Sequence, residues 1–134
     1  MSNVISTTDG IVGQASHRKL YFFWLVDISG SMQGSKIQRV NWAIKQVLPE
    51  IQHLEEEERV KVFMSTITFG DRADWHGGDK PVEVSAFTWK DLVATDQSTS
   101  TAQGIELLCS ALEVEKIGRR SVPPVCILLS DGYL

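Results

Sequence analysis

Residues 20–26, Leu-Tyr-Phe-Phe-Trp-Leu-Val, form a run of seven consecutive hydrophobic residues. A run this short and this rich in aromatic side chains predicts a β-strand that is covered on both faces. A second run of this kind, Val-Cys-Ile-Leu-Leu, occupies residues 125–129. Strands buried on both faces are typical of parallel sheets flanked by helices. The two runs therefore predict an α/β fold with a mostly parallel sheet.

A helix is predicted after the first run, beyond a short loop. A capping-box pattern starts at Ser35, the predicted N-cap. Apolar residues then recur over residues 37–51 with a period of about 3.6 residues, which predicts one buried helical face. Pro49 interrupts this pattern, so we expect the helix to kink there, or to stop near residue 48 and restart.

The middle of the chain predicts two more strands and a second helix. Residues 59–69 are β-branched and aromatic, and residues 82–87 alternate, which favours an antiparallel edge strand. Residues 70–80, rich in Gly and Asp, predict a turn region rather than a calcium-binding loop. A second capping box at Ser100 opens a helix that we expect to end at residues 118–120.

Length and composition predict one folded domain. The chain has 134 residues, of which 43% are hydrophobic and 22% charged, as in ordinary globular proteins. Residues 1–18 are polar and without a clear period, so we expect an N-terminal arm, with the domain over residues 19–134. The net charge of −4 disfavours nucleic acid as a partner.

The sequence favours a reducing, cytoplasmic setting. Residues 1–17 have no apolar segment of the kind that secretory leaders carry, and the longest apolar run is far shorter than the ~20 residues that cross a bilayer. We therefore expect no membrane partner. Cys109 and Cys126 both lie in apolar patterns, where we expect buried free thiols rather than a disulfide.

Oxygen-bearing side chains follow both apolar runs directly. Asp27, Ser29 and Ser31 come after the first run, and Asp131 comes just after the last one. In a parallel sheet, side chains at the carboxyl ends of neighbouring strands meet at one edge. Two carboxylates brought together there favour a bound cation, and carboxylate and hydroxyl oxygens suit Mg²⁺ or Mn²⁺. The simpler alternative is a side-chain-capped turn after each strand.

The pattern resembles the metal-ion-dependent adhesion site (MIDAS) of von Willebrand factor type A (vWA) domains. Asp27, Ser29 and Ser31 match its first element, Thr99 at the start of a later helix matches the second, and Asp131 after a later apolar strand matches the third. Residues 98–101 are all Ser or Thr and can all cap a helix. The Thr element could therefore also fall one or two positions away.

This resemblance implies a Rossmann-like fold whose mostly parallel central sheet has one antiparallel edge strand and flanking helices. In the family, the two Ser and the Thr ligate a divalent cation, here Mg²⁺ with Mn²⁺ or Ca²⁺ as alternatives, and the two Asp often act through bound waters. One coordination position stays open for an Asp or Glu of a partner protein. Family members continue beyond the last motif Asp. We therefore expect the C-terminal part of the fold to be missing, and an uncovered sheet face through which the chain could form homo-oligomers.

Within the superfamily, a short loop and an early helical Asn41 resemble the intracellular bacterial branch that is similar to TerY tellurium-resistance proteins. That branch implies a cytoplasmic protein-binding module in tellurite or stress response. The chain departs from the family at Gln97 and Ser98, where members often carry Gly-Gly before the Thr. The loop that carries the Thr is therefore expected to differ in shape.

Two alternative functions are open. A Mg²⁺-dependent phosphatase of the haloacid-dehalogenase type also places an Asp after its first strand, but it needs a second Asp two residues on, where this chain has Ser29. A vWA-like scaffold without metal is the other alternative. Because no nucleophile stands in a recognisable pairing with a base, we do not expect an enzyme.

Overall fold

The computed structural model describes residues 18–113 and 122–131. Within these ranges the fold is α/β, with a mixed five-stranded sheet and two α-helices. In chain order the elements are β1 (Arg18–Asp27), α1 (Ser35–Glu58), β2 (Val60–Phe69), β3 (Ala73–Trp75), β4 (Val82–Glu83), α2 (Thr101–Ala111) and β5 (Val125–Leu129). Single 3₁₀ turns cover Gly30–Met32 and Val84–Ala86. None of the helices in the described ranges has the length and apolar composition that a bilayer span requires.

The sheet has the order β3-β2-β1-β5, and β4 also pairs with β2. β1 runs parallel to both β2 and β5, whereas β3 and β4 run antiparallel to β2. The prediction of a mostly parallel sheet is therefore confirmed. The first and last strands are neighbours, which is the condition for Asp27 and Asp131 to share one edge. β1 lies in the middle, which explains its uninterrupted apolar run: every residue from 21 to 27 is buried. Arg18, assigned to the arm by sequence, already belongs to β1.

A helix covers each face of the sheet. The α1 face contains Phe22, Trp24 and Val26 of β1, packed in one cluster with apolar residues of α1 such as Ile44. The opposite face contains Phe23 and other β1 residues, against which the apolar side of α2 packs. Alternate residues of β1 thus serve two cores, as the strand pleat requires.

α1 does not stop at Pro49, so the predicted stop near residue 48 is wrong. Pro49 is exposed, and the buried face continues past it to Ile51. We attribute the continuity to burial of this face, which offsets the one backbone hydrogen bond that proline cannot make. Gly34, with φ 77°, is the N-cap of α1 in place of Ser35, so that predicted cap is wrong. Ser100 is the N-cap of α2, as predicted, but its side chain makes no cap bond.

The antiparallel part of the sheet differs from the prediction. The predicted turn region contains β3, because a tight reversal closed by the Gly70 amide and the Arg72 carbonyl (3.0 Å) returns the chain along β2. The predicted strand over residues 82–87 shortens to β4. There the chain leaves the sheet to bury Val84, whose carbonyl accepts a bond from Gln52 on α1.

β5 occupies the predicted position but is not covered on both faces. Its alternate residues Val125, Ile127 and Leu129 pack against the α1-side core, whereas Leu128 is 47% exposed. Cys126 is exposed, as is Cys109 on α2, so the prediction of buried thiols is wrong. α2 ends at Ala111, before the predicted end, and that end at residues 118–120 lies outside the described residues.

Candidate metal centre

β1 and β5 bring Asp27 and Asp131 to the same edge of the sheet. Val26 pairs with Leu129 in the parallel register, so the residues that follow the two strands emerge side by side. The Ser130 hydroxyl donates a hydrogen bond to Asp27 Oδ2 at 3.0 Å, across 103 positions of sequence. Asp27 is completely buried. The expected meeting of the two strand ends is therefore present.

The loop after β1 gathers three of the expected ligands. The Ser29 amide donates to Asp27 Oδ1 at 2.8 Å, and the Ser29 and Ser31 hydroxyl oxygens lie 3.2 Å apart. Ser29 is buried, whereas Ser31 is exposed. The 3₁₀ turn that carries Ser31 is anchored by Met32, which packs in the α1-side core. Both carboxylate oxygens of Asp27 thus accept a hydrogen bond, and two neighbouring hydroxyls lie on the loop that follows.

Asp131 is held by a residue that sequence reasoning missed. Lys36, the second residue of α1, lies with its Nζ 3.0 Å from Asp131 Oδ2. The Asp131 side chain is only 7% exposed, while that of Lys36 is 45% exposed. The pair joins positions 95 apart. No local pattern links them; they meet only in the folded chain, where β5 packs against the α1-side core.

Thr99 lies in the loop before α2, and hydrogen bonds to Asp71 fix this loop. Asp71 Oδ1 accepts bonds from the Ser98 amide at 2.9 Å, the Ser98 hydroxyl at 2.8 Å and the Gln97 amide at 3.1 Å. The Ser100 hydroxyl donates to the Asp71 carbonyl at 3.0 Å. The two hydrogen bonds from Ser98 lower the pKa of Asp71 below its ordinary value of 3.8. Sequence reasoning treated Asp71 only as a turn residue.

Asp96 connects this loop to the one that carries Ser29. Ser29 and Asp96 form a parallel β-bridge, and the Asp96 amide donates to the Ile28 carbonyl at 3.3 Å. Asp96 Oδ2 in turn accepts a bond from the Asp71 amide at 2.9 Å. Gly70 makes room for this carboxylate, since a β-carbon there would overlap Asp96 Oδ2. The Gly-Asp pair at the end of β2 was the only sequence signal for this arrangement.

The unsatisfied hydroxyl at this helix start belongs to Thr101 rather than to Thr99. Three buried side-chain atoms of the described residues lack a hydrogen-bond partner: Trp24 Nε1, Thr66 Oγ1 and Thr101 Oγ1. The first two belong to a cross-strand pair within β1 and β2. Thr101 opens α2, and one turn later Gly104 packs closely on Phe69, the register partner of Asp27. By contrast, the Thr99 side chain makes no hydrogen bond to any described residue at this edge.

The donor set fits a hard cation. Its members are carboxylates and hydroxyls, the oxygen ligands that Mg²⁺, Mn²⁺ and Ca²⁺ prefer, and a buried hydroxyl without a partner is available in Thr101. Residues 18–113 and 122–131 contain no group of three or more His, Cys, Asp or Glu side chains that could hold a metal. The expected set has only two such residues, Asp27 and Asp131, because hydroxyls supply the rest.

The chain matches no model of a known protein family and no curated protein sequence. Its function is therefore inferred from the geometry of this edge and from the motif that Asp27 begins.

Proposed function

We propose that the carboxyl edge of the sheet is a MIDAS-type site in a Rossmann-like, vWA-like fold, where a divalent cation binds a carboxylate of a partner protein. The observation that carries this proposal is the hydrogen bond from Ser130 to Asp27, at 3.0 Å. It places the buried Asp27 next to the strand end that carries Asp131, with the Ser29 and Ser31 hydroxyls 3.2 Å apart on the adjoining loop. Carboxylate and hydroxyl oxygens at one edge are the donors that a divalent cation of this kind prefers.

The hydroxyls of Ser29 and Ser31 would ligate the ion directly, together with Thr99 or Thr101. Asp27 and Asp131 would act through bound waters, as the resemblance implies. Mg²⁺ takes six oxygen ligands and retains waters readily, so one position is open to an external carboxylate. Neutral hydroxyl ligands leave most of the charge on the ion, and the bound ion supplies electrostatic attraction for an Asp or Glu of the partner.

Isothermal titration with Mg²⁺ and Mn²⁺ tests the metal site. The wild-type protein is expected to bind either ion, and Asp27→Asn to lose about tenfold or more in affinity. Asn keeps the acceptor for the Ser29 amide, so the fold is expected to survive, which circular dichroism checks. The matched control is Asp91→Asn, because Asp91 is exposed and pairs with Lys45 rather than with this edge.

Two other results would replace the proposal. If the wild-type protein gives no binding heat with either ion at low salt, the chain is a metal-free scaffold. If it releases phosphate from p-nitrophenyl phosphate with Mg²⁺, and Asp27→Asn abolishes that release, it is a phosphatase.

Water-proton relaxation tests the open coordination position. Mn²⁺ bound to the protein enhances the relaxation of exchanging water, and acetate or a Glu-containing peptide is expected to reduce that enhancement by displacing a bound water. Mn²⁺ with Asp27→Asn is the control. Unchanged relaxation in the wild type at saturating peptide would argue against carboxylate capture.

By the same resemblance, we propose a TerY-like role in a cytoplasmic tellurite or stress response.

We also propose self-association through the β5 face, where Leu128 is 47% exposed. Sedimentation velocity is expected to show a dimer or larger species that Leu128→Lys dissociates. A wild-type protein that sediments as a monomer at high concentration would contradict this.

A further inference from the structure

Two lysines of α1, Lys36 and Lys45, each form an ion pair with an aspartate. The two N–O distances are equal, but the two carboxylates differ in burial. Lys36 Nζ lies 3.0 Å from Asp131 Oδ2, and Lys45 Nζ lies 3.0 Å from Asp91 Oδ1. The two lysine side chains are similarly exposed, at 45% and 47%. The carboxylates differ, because Asp131 is 7% exposed and Asp91 is 59% exposed.

This difference in burial decides what each pair can do. Water screens an exposed pair such as Lys45–Asp91, so its net contribution is small. A nearly buried carboxylate loses much of its hydration and interacts more strongly with a charge beside it. Lys36 therefore supplies positive charge to Asp131 at the edge where the buried carboxylate of Asp27 also lies.

We propose that Lys36 sets the metal affinity of this site by competing with the divalent cation for Asp131. The inference rests on the proposed metal site. Without the ion, the Lys36 ammonium offsets the charge of Asp131; a cation that recruits Asp131 displaces the ammonium from Oδ2. Because binding linkage is reciprocal, the ion weakens the Lys36–Asp131 pair as much as the pair weakens ion binding.

The first test compares charge removal at the two lysines by isothermal titration with Mg²⁺ and Mn²⁺. Lys36→Met is expected to raise the affinity about fivefold or more, the lower end of typical coupling between sites. Lys45→Met removes the same charge from the same helix, and is expected to stay within about twofold of wild type. Lys36→Arg keeps the charge and is expected to remain near wild type. Thermal melts establish that each variant is folded.

The second test measures lysine accessibility in the wild-type protein. An amine-reactive acetylating reagent, read out by mass spectrometry, is expected to label Lys36 faster when Mg²⁺ is added, and Lys45 at an unchanged rate. Ca²⁺ in place of Mg²⁺ should give the same direction if it occupies the same site.

The outcomes separate this inference from the proposed function. If the wild type binds the ion but Lys36→Met binds equally or more weakly, and Lys36 labelling does not rise, the competition is wrong while the metal site stands. If the wild type binds neither ion, both are overturned. Higher affinity in Lys36→Met together with faster Lys36 labelling supports both.

Discussion

The side-chain amide of Asn41 on α1 forms hydrogen bonds with both the backbone carbonyl and the backbone amide of Leu92. Its Nδ2 donates to the Leu92 carbonyl at 3.0 Å, and its Oδ1 accepts from the Leu92 amide at 2.8 Å. The same Oδ1 accepts from Trp89 Nε1 at 2.9 Å. One buried amide thus fixes the segment that leads to Asp96, and so connects α1 to the loops of the candidate site.

Asn41→Ala is expected to destabilise the protein by roughly 2–4 kcal/mol, because it leaves the buried backbone groups of Leu92 and the half-buried Trp89 Nε1 without this partner. Chemical denaturation measures the free energy of unfolding. Gln46→Ala, an exposed amide on the same helix, is the control and should change it by less than about 0.5 kcal/mol. Equal effects of the two substitutions would show that these hydrogen bonds carry no net stability.

Gly70→Ala is expected to disrupt the packing between the end of β2 and Asp96. The added β-carbon would overlap Asp96 Oδ2 and lie 2.6 Å from Asp96 Cβ, so the aspartate must move and lose its bond from the Asp71 amide. Overpacking of this kind costs about 1–3 kcal/mol.

A double-mutant cycle checks this cause. In an Asp96→Gly background the obstructing atoms are gone, so Gly70→Ala should cost markedly less than it does in the wild type. A cost that is the same in both backgrounds would locate the strain elsewhere, away from the Gly70–Asp96 contact.

The centre of the fold was predictable because its two longest strands, β1 and β2, are buried along most of their length. β1 and β2 appear in the sequence as apolar or β-branched runs, since nearly every position faces a helix layer or another strand. The predicted stop at Pro49 was wrong because the local backbone penalty of proline does not include the burial of the α1 face on either side of it. The exposure of Cys126 was equally invisible, because it depends on what packs over β5.

The sequence predicts the candidate residues at the strand ends, but not the residues that form hydrogen bonds and ion pairs around them. Asp27 and Asp131 follow apolar runs, and the carboxyl-edge rule for parallel sheets brings them to one edge once β1 and β5 are neighbours, as the structure shows. Lys36 and Asp71 bind partners 95 and 27 positions away, so only the three-dimensional packing assigns them. The run of Ser and Thr at residues 98–101 left the register of the threonine ligand open, since each of them can cap a helix.

The hydrogen bonds of Asp71 predict an acid-sensitive loop. Ser98 stabilises the ionised carboxylate and lowers the pKa of Asp71, so the folded state binds this proton less readily than the unfolded state. The resulting stabilisation is complete above the ordinary value of 3.8 and is lost as the pH falls through the lowered pKa of the folded protein. We expect the amide resonances of Gln97 and Ser98 to titrate in this acidic range in NMR spectra.

Two substitutions distinguish Asp71 from general acid unfolding. Asp71→Asn keeps an acceptor oxygen but cannot titrate, so the two amide resonances should no longer shift below pH 3.8 while the fold persists. Asp74→Asn changes a neighbouring carboxylate that pairs with Arg72, and should leave their titration unaltered. Identical titration in all three proteins would assign the shift to some other group.

The unpartnered hydroxyl of Thr101 predicts that Thr101, rather than Thr99, would ligate the proposed cation. Thr101 Oγ1 is buried without a hydrogen-bond partner among the described residues, at the helix start that packs over the end of β2. Thr101→Ala should lower the affinity for Mg²⁺ by about tenfold or more, the scale on which even outer contacts of metal sites act. It should also leave the metal-free protein as stable as the wild type or slightly more stable, because it removes an unsatisfied buried polar atom.

Thr99→Ala is the matched comparison, two positions earlier in the loop before α2. It should bind Mg²⁺ within about twofold of wild type, because the Thr99 side chain makes no hydrogen bond to a described residue at this edge. Thr101→Ser restores the hydroxyl without the methyl group and should recover most of the lost affinity. A loss confined to Thr99→Ala in the titration would instead return the ligand role to Thr99. In that case the loop held by Asp71, rather than the first turn of α2, presents the threonine to the ion.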